Sequence, residues 1–202
     1  MRARLRNRAR DGHYHSRVPR PTDVVVDKPS ILFVGINPST TSGKVGHHFA
    51  GPANPFWQLL HAAGFTPRLF TAADDHELAP LGYALVNLCA RPTKMASELR
   101  KPELATGKKR LFEKARAMQP SIVALVGVTL YPLLFARTRT KSKTTVGIPR
   151  KDLVSGPGLK PELLEGARVF VLPNPSGLNI SFPSFAAKLP WFQQLHDLVS
   201  GG

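Results

Sequence analysis

Residues 31–39 read ILFVGINPS, and residues 168–176 read RVFVLPNPS. Each is a short apolar run that ends in Asn-Pro-Ser. A short run with almost no polar interruption is the pattern of a strand covered on both faces. Two more runs of this kind follow the first, ALVNL at 84–88 and SIVALVG at 121–127. Segments with helical spacing lie between and after them. Residues 54–63, NPFWQLLHAA, open on an asparagine suited to an N-cap, with Pro55 at the first helical position and Gly64 as the stop. Residues 102–118 repeat Leu104, Leu111, Phe112 and Ala115 along one face and carry Lys and Arg elsewhere. A short helix is expected over 129–136. A closing helix is expected over 185–199, with Pro190 either starting or interrupting it. Apolar strands alternating with helices predict an α/β fold, a three-layer α/β/α sandwich around a mostly parallel sheet of about four strands.

In a parallel sheet the site lies at the carboxyl ends of the strands. Both Asn-Pro-Ser turns then emerge on the same edge and build one cleft from loops far apart in sequence. The first of these loops is unusually loaded. Residues 35–57, GINPSTTSGKVGHHFAGPANPFW, hold four glycines, three prolines, two asparagines and two adjacent histidines. Such a stretch reads as either a disordered surface loop or a shaped binding site.

The chain has 202 residues, 42% hydrophobic and 20% charged, which fits one globular domain with a real core. Lys and Arg number 28 against 13 Asp and Glu, a net charge of +15, so a polyanion is the first partner to consider. Part of that charge sits in residues 1–21, MRARLRNRARDGHYHSRVPRP, read as a flexible basic arm ahead of a domain spanning 22–202. More sits in residues 137–151, RTRTKSKTTVGIPRK, an exposed loop or β-excursion. Cys89 is the single cysteine, so neither an intrachain disulfide nor a Cys-based zinc site can form. That suits a reducing, cytoplasmic compartment. No apolar run approaches the roughly 18 residues that span a bilayer, and no secretory h-region opens the chain. No membrane partner is therefore expected.

Familiar catalytic motifs fail one by one. A P-loop around Gly43-Lys44 needs glycine at 38 and Ser or Thr at 45, where the chain has Pro38 and Val45. Neither GxGxxG nor GxSxG is present. His47 and His48 are neighbours in an extended stretch and point apart, so both seldom hold one metal ion. Cys89 beside a strand reads as a core residue. The acidic cluster Asp74-Asp75-His76-Glu77 lies outside both Asn-Pro-Ser loops. Asn54, Phe56 and Trp57 read mainly as cap and core.

GINPS, then GHHFAGPANPFWQLLHAAGFT, then LVNLCARPTKMASEL with a basic helix behind it, then VLPNPSGL occur in that order. Together they resemble the mismatch-specific uracil/thymine-DNA glycosylase family, the double-strand-specific branch of the uracil-DNA glycosylase superfamily. The likeness runs from about Ile31 to Leu198. It implies an α/β/α sandwich and hydrolysis of the N-glycosidic bond of uracil, in some members thymine, opposite guanine in double-stranded DNA. The implied enzyme is monofunctional, leaves an abasic site and uses no metal or cofactor; a monomer is expected. By the same resemblance Asn37 is the catalytic residue that holds the attacking water. Gly35, Ile36, Pro38, Ser39, His48 and Phe49 form the base pocket, with Phe49 stacking on the extruded base. Asn174, Pro175, Ser176, Gly177, Leu178 and Asn179 form the insertion loop, in which Leu178 is the wedge and the flanking backbone meets the opposite guanine. An amide orients water but takes its proton poorly, so slow turnover is expected.

Three departures bear on rate and range. Ser39 stands where many members have glycine, Asn179-Ile180 replaces a Ser-Arg pair, and Ala90 stands where relatives often carry an acid. Two other readings stay open at this level. One is a superfamily glycosylase of broader range, acting on deaminated purines or single-stranded uracil. The other is a DNA-binding relative without the chemistry.

Overall fold

The computed structural model describes residues 20–139, 145–176 and 181–201. The basic arm up to residue 19, the tip of the second basic stretch, and Gly177, Leu178 and Asn179 lie outside the described residues.

Strand β1 (Ile31–Gly35) is buried throughout. It is followed by a short helix, α1 (Thr40–Val45), and by α2 (Phe56–Ala62). A 3₁₀ segment (Ala72–Leu78) leads to β2 (Tyr83–Asn87). Helix α3 (Lys101–Met118), β3 (Ile122–Val126) and α4 (Leu130–Phe135) come next. A two-stranded excursion, β4 (Thr138–Arg139) and β5 (Thr145–Val146), precedes the hairpin of β6 (Gly158–Leu164) and β7 (Ala167–Leu172). Helix α5 (Phe185–Ser200) closes the chain. Among the described residues no helix is long and apolar enough to cross a membrane.

The sheet order is β2-β1-β3-β7-β6. The first four strands run parallel and β6 is antiparallel to β7. Side chains alternate faces along a strand, and the core divides accordingly. Ile31 and Phe33 face α2 and α5 with Phe56, Leu59, Leu60, Phe192 and Leu195. Leu32 and Val34 face the other way, with Leu111, Ala115, Leu130 and Leu134. This is the expected three-layer sandwich, with the four foreseen strands in place.

The differences are local. The sheet has a fifth strand, β6, whose sequence GLKPELL gives no clean apolar run because it is an edge. Pro161 is tolerated there, where an N–H need not join a ladder. Lys160 points inward because its ammonium donates to the Gly156 carbonyl at 2.7 Å and lies 5.2 Å from the centre of the Tyr131 ring. Helix α1 was not foreseen; Ser39 caps it by accepting from the Ser42 N–H at 3.1 Å. Helix α2 begins one residue later than expected. Pro55 is its N-cap residue, while Asn54 Oδ1 accepts from the Phe56 N–H at 3.1 Å. Helix α5 starts at the Ser184 cap and runs through Pro190; Ala186, whose carbonyl loses its partner, is exposed and can be solvated.

One contact joins α3 to the site edge of the sheet. A Cβ on Gly107 would sit 2.4 Å from the Leu88 carbonyl oxygen and 3.2 Å from Cys89 Sγ. Only glycine allows the helix this close to the loop after β2. Gly107→Ala is expected to destabilise the fold by about 1–3 kcal/mol, as overpacking does. Thermal unfolding reads this as a lower Tm; an unchanged Tm would contradict the close approach.

Candidate active site

At the carboxyl edge of the sheet the loops after β1 and β2 are sewn to each other. Leu88 N–H donates to the Gly35 carbonyl at 2.8 Å, Cys89 N–H to Ile36 at 2.9 Å and Thr93 N–H to Pro38 at 3.1 Å. Residues 35–39 and 88–93 therefore extend the β1–β2 pairing beyond the strands. A cavity of about 450 Å³ opens beside this seam. Its wall includes Gly35, Asn37, Phe49, Asn87, Thr93 and Asn174. Ile36, Pro38 and Ser39 from the first loop and Ser176 from the second also line it. The two Asn-Pro-Ser turns thus meet at one cleft, as parallel strands require.

Asn37 is held in a single orientation. Its Nδ2 faces the Pro38 carbonyl at 3.0 Å, the Arg91 carbonyl at 3.0 Å and Thr93 Oγ1 at 2.7 Å, its two hydrogens shared among the three acceptors. Two of these acceptors are carbonyls and cannot donate. Thr93 gives its own hydroxyl proton to the Met95 carbonyl at 2.8 Å, so its oxygen is left to accept. The amide nitrogen must therefore face all three. Oδ1 is turned away from them, and no described residue engages it.

The loop that supplies these acceptors is clamped in turn. Arg91 forms a two-point pair with Glu103, Nε to Oε1 at 2.6 Å and Nη2 to Oε2 at 3.0 Å. Its Nη2 also donates to the Glu98 carbonyl at 2.8 Å. Glu103 additionally accepts from the Arg100 N–H at 3.0 Å, at the start of α3. The Arg91 guanidinium is the main reason that the Glu103 carboxyl is held down at about 2. A carboxylate of α3 thus fixes the loop that fixes Asn37.

Phe49 takes a left-handed backbone conformation, φ +52°, uncommon for a bulky residue. This turn lays its ring on Phe56, with centroids 3.9 Å apart and planes at 22°. One face rests on the core while the residue lines the cavity. A ring so placed can offer a stacking surface to a planar ligand.

Asn87, at the end of β2, pairs in register with Gly35. A Cβ on Gly35 would lie 2.6 Å from Asn87 Oδ1 and 3.4 Å from Phe49 Cζ. The glycine is needed first to admit the Asn87 amide. His48 is not among the lining residues. It is 1% exposed and sits behind the wall, its Nδ1 3.1 Å from Asn87 Nδ2. Burial pushes the His48 pKa below its ordinary value.

The two histidines do point apart, yet both meet Asp75. Its Oδ2 accepts from the His48 N–H at 3.0 Å, and its Oδ1 lies 3.2 Å from His47 Nδ1. The acidic cluster thus anchors the loop from outside the cavity. Among the described residues no group of three or more His, Cys, Asp or Glu could hold a metal ion.

In the second loop, Asn174 Oδ1 accepts from the Ser176 N–H at 3.0 Å, which shapes the turn. The positions of Gly177, Leu178 and Asn179 fall outside the described residues. A separate cavity of about 530 Å³ lies between α3 and the loop after β2, lined by Cys89, Arg91, Glu103 and Arg110, and it holds neither Asn37 nor Phe49.

Asn87, Thr93, Ser42 and Lys94 line the cavity without having been foreseen. Asn87 carried a readable signal: a polar residue closing an otherwise apolar run, as Asn37 follows β1. Thr93 and Ser42 carried none, because their roles are hydrogen bonds to partners distant in sequence. Ser42 Oγ accepts from the Ala50 N–H at 3.0 Å and so folds α1 against the Phe49 turn.

The sequence model of the uracil DNA glycosylase superfamily matches residues 22–196.

Proposed function

The chain belongs to the uracil DNA glycosylase superfamily, whose members act on uracil in DNA, and from that premise we propose that it excises uracil opposite guanine in double-stranded DNA as a monofunctional hydrolase. The observation that carries this reading is the anchored Asn37. Three acceptors take its Nδ2, and its Oδ1 is left for a water molecule at a cavity flanked by Phe49 and Asn87.

The steps follow from the side chains. The basic surface grips phosphates, and the target nucleotide leaves the stack. Phe49 supports the ring of the extruded pyrimidine. The bond from C1′ to the pyrimidine nitrogen breaks, and its electron pair leaves with the base as an anion. Water held at Asn37 Oδ1 adds to the sugar carbon, and its proton passes to solvent, since an amide does not accept it. The products are free uracil and an abasic site, and only water is consumed. Leu178 would fill the gap in the duplex, and the backbone of Gly177 and Asn179 would meet the widowed guanine; the resemblance of NPSGLN to the insertion loop supports both roles.

End-labelled oligonucleotides test the reading directly. The expected order of cleavage after alkali is G:U first, with A:U, G:T, G:hypoxanthine and single-stranded uracil slower. No product from any of them would remove the enzymatic reading. Product chiefly from single-stranded uracil or hypoxanthine would favour the broader superfamily activity.

The anchoring of Asn37 has its own consequence. Thr93→Val keeps the shape but removes the 2.7 Å acceptor. Single-turnover excision is expected to fall roughly 3- to 10-fold, the scale of one neutral hydrogen bond, with KM little changed. An unaltered rate would show that the two carbonyls suffice.

A further inference from the structure

Beside α3 two cavities join into one groove. The cavity of about 530 Å³ between α3 and the loop after β2 shares Arg20, Leu88, Ala90 and Arg110 with a neighbour of about 460 Å³. The neighbour also includes Pro38 and Asn87, which line the Asn37 cavity as well. The groove therefore starts at the wall of the Asn37 cavity and runs along α3 from Lys114 to Pro102.

Its charge is unbalanced. The carboxylates that border it are already taken: Glu103 pairs with Arg91 and Arg100, and Asp23 with Lys114. Arg20 and Arg110 are exposed, and among the described residues neither has an ion-pair partner. The floor brings no counter-charge. Leu88 and Cys89 are buried there, and Ala90 sits where the two cavities meet. An acid at residue 90, as in the relatives from which this chain departs, would give the groove its own anion. With alanine, two guanidinium groups border the same walls and no carboxylate is left for them.

A guanidinium group matches the oxygens of a phosphate in pairs, through parallel N–H donors. A strand that gives up a base to the Asn37 cavity carries phosphates on either side of that nucleotide, and Pro38 and Asn87 border both places. We propose that the groove is a phosphate site, in which Arg20 and Arg110 together hold one phosphate group of the strand under repair. The strand rests on the glycosylase reading; the anion site does not.

Salt dependence of binding to an uncleavable G:U duplex tests this without catalysis. Each phosphate neutralised contributes about 0.9 to the slope of log Kobs against log salt. In Arg20→Gln/Arg110→Gln the slope should become shallower by about that amount. Lys109→Gln/Arg116→Gln removes the same charge from α3 residues outside the groove and should leave the slope unchanged. An unaltered slope in the first variant overturns the proposal, and so does an equal change in both, which is a general charge effect. Cys89 gives a second readout, because it lines the groove and is the single cysteine. Saturating duplex should slow its alkylation by iodoacetamide in the unmodified protein, and this protection should be lost in Ala90→Asp, whose carboxylate occupies the arginines. Should Ala90→Asp fail to fold, the double arginine variant takes its place, since both side chains are exposed. Inorganic phosphate, compared with chloride at equal ionic strength, is the other arm. Protection by duplex, with or without weaker protection by phosphate, is the expected result. Protection by phosphate alone identifies a site for a free anion and overturns the strand assignment; protection by neither overturns the site. A shallower slope in the first variant alone, with no uracil released by the unmodified protein, refutes the glycosylase reading and leaves the phosphate site standing.

Discussion

Asn37→Ala is expected to lower single-turnover excision of uracil from a G:U duplex by about 10²-fold or more, while binding to the same duplex is retained. The substitution removes Oδ1, which no described residue engages and which the proposed mechanism makes the seat of the attacking water. Losing the orientation of a reactant by about an ångström can itself cost roughly 10²-fold. The Pro38 and Arg91 carbonyls and Thr93 Oγ1 lose their shared donor, but water can replace it at this partly open site. In the proposed mechanism duplex binding rests instead on the excess of Lys and Arg, so it should keep its salt dependence. Rates from excess enzyme, with affinity from a gel shift on an uncleavable duplex, separate the two. Excision within a few-fold of the unmodified protein would mean that another group activates the water.

The second large effect is expected at Gly35→Ala. Gly35 is not at a positive φ, so alanine is acceptable to the backbone. The effect must come from space. The added methyl would stand 2.6 Å from Asn87 Oδ1, closer than real Cβ contacts come, and 3.4 Å from Phe49. Asn87 cannot simply rotate away, because its nitrogen is held by His48. Either the amide leaves its place or β1 and β2 part at their ends. Excision is expected to fall about 10²-fold or more through misplacement of the base, with a stability loss of about 1–3 kcal/mol from overpacking. Excision assays beside thermal unfolding check both. Near-normal activity would show that the Asn87 amide is not part of the base pocket.

Strand ends were the most legible feature of this chain. ILFVG, ALVN, IVALV and VFVL declare themselves because a parallel sheet is covered on both faces and leaves little room for polar residues. The edge strand GLKPELL did not, because one side of it has no neighbour and it alternates. Helix α1 was hidden among the turn residues of 35–57 because its stability comes from the Ser39 cap and Ser42, not from an apolar face. Asn54 was read as the cap of α2, but the helix starts at Phe56 and Asn54 supports it from one residue further out. Asn37 and Phe49, which the family resemblance singles out, both line the cavity. Asn87 ends a strand as informatively, yet its importance depends on Gly35 lying beside it in another strand.

The sequence by itself determined the layers, the parallel order implied by apolar strands between helices, and the meeting of two Asn-Pro-Ser turns on one edge. These follow from periodicity and covalent order, which are local. Only the tertiary structure decided which way the polar groups face. Asn37 is oriented by Thr93 and Arg91, Arg91 by Glu103, and Asn87 by His48 and Thr22. A hydrogen bond depends on distance and direction between atoms that the chain separates by tens of residues. No composition or spacing encodes that geometry until the strands are paired.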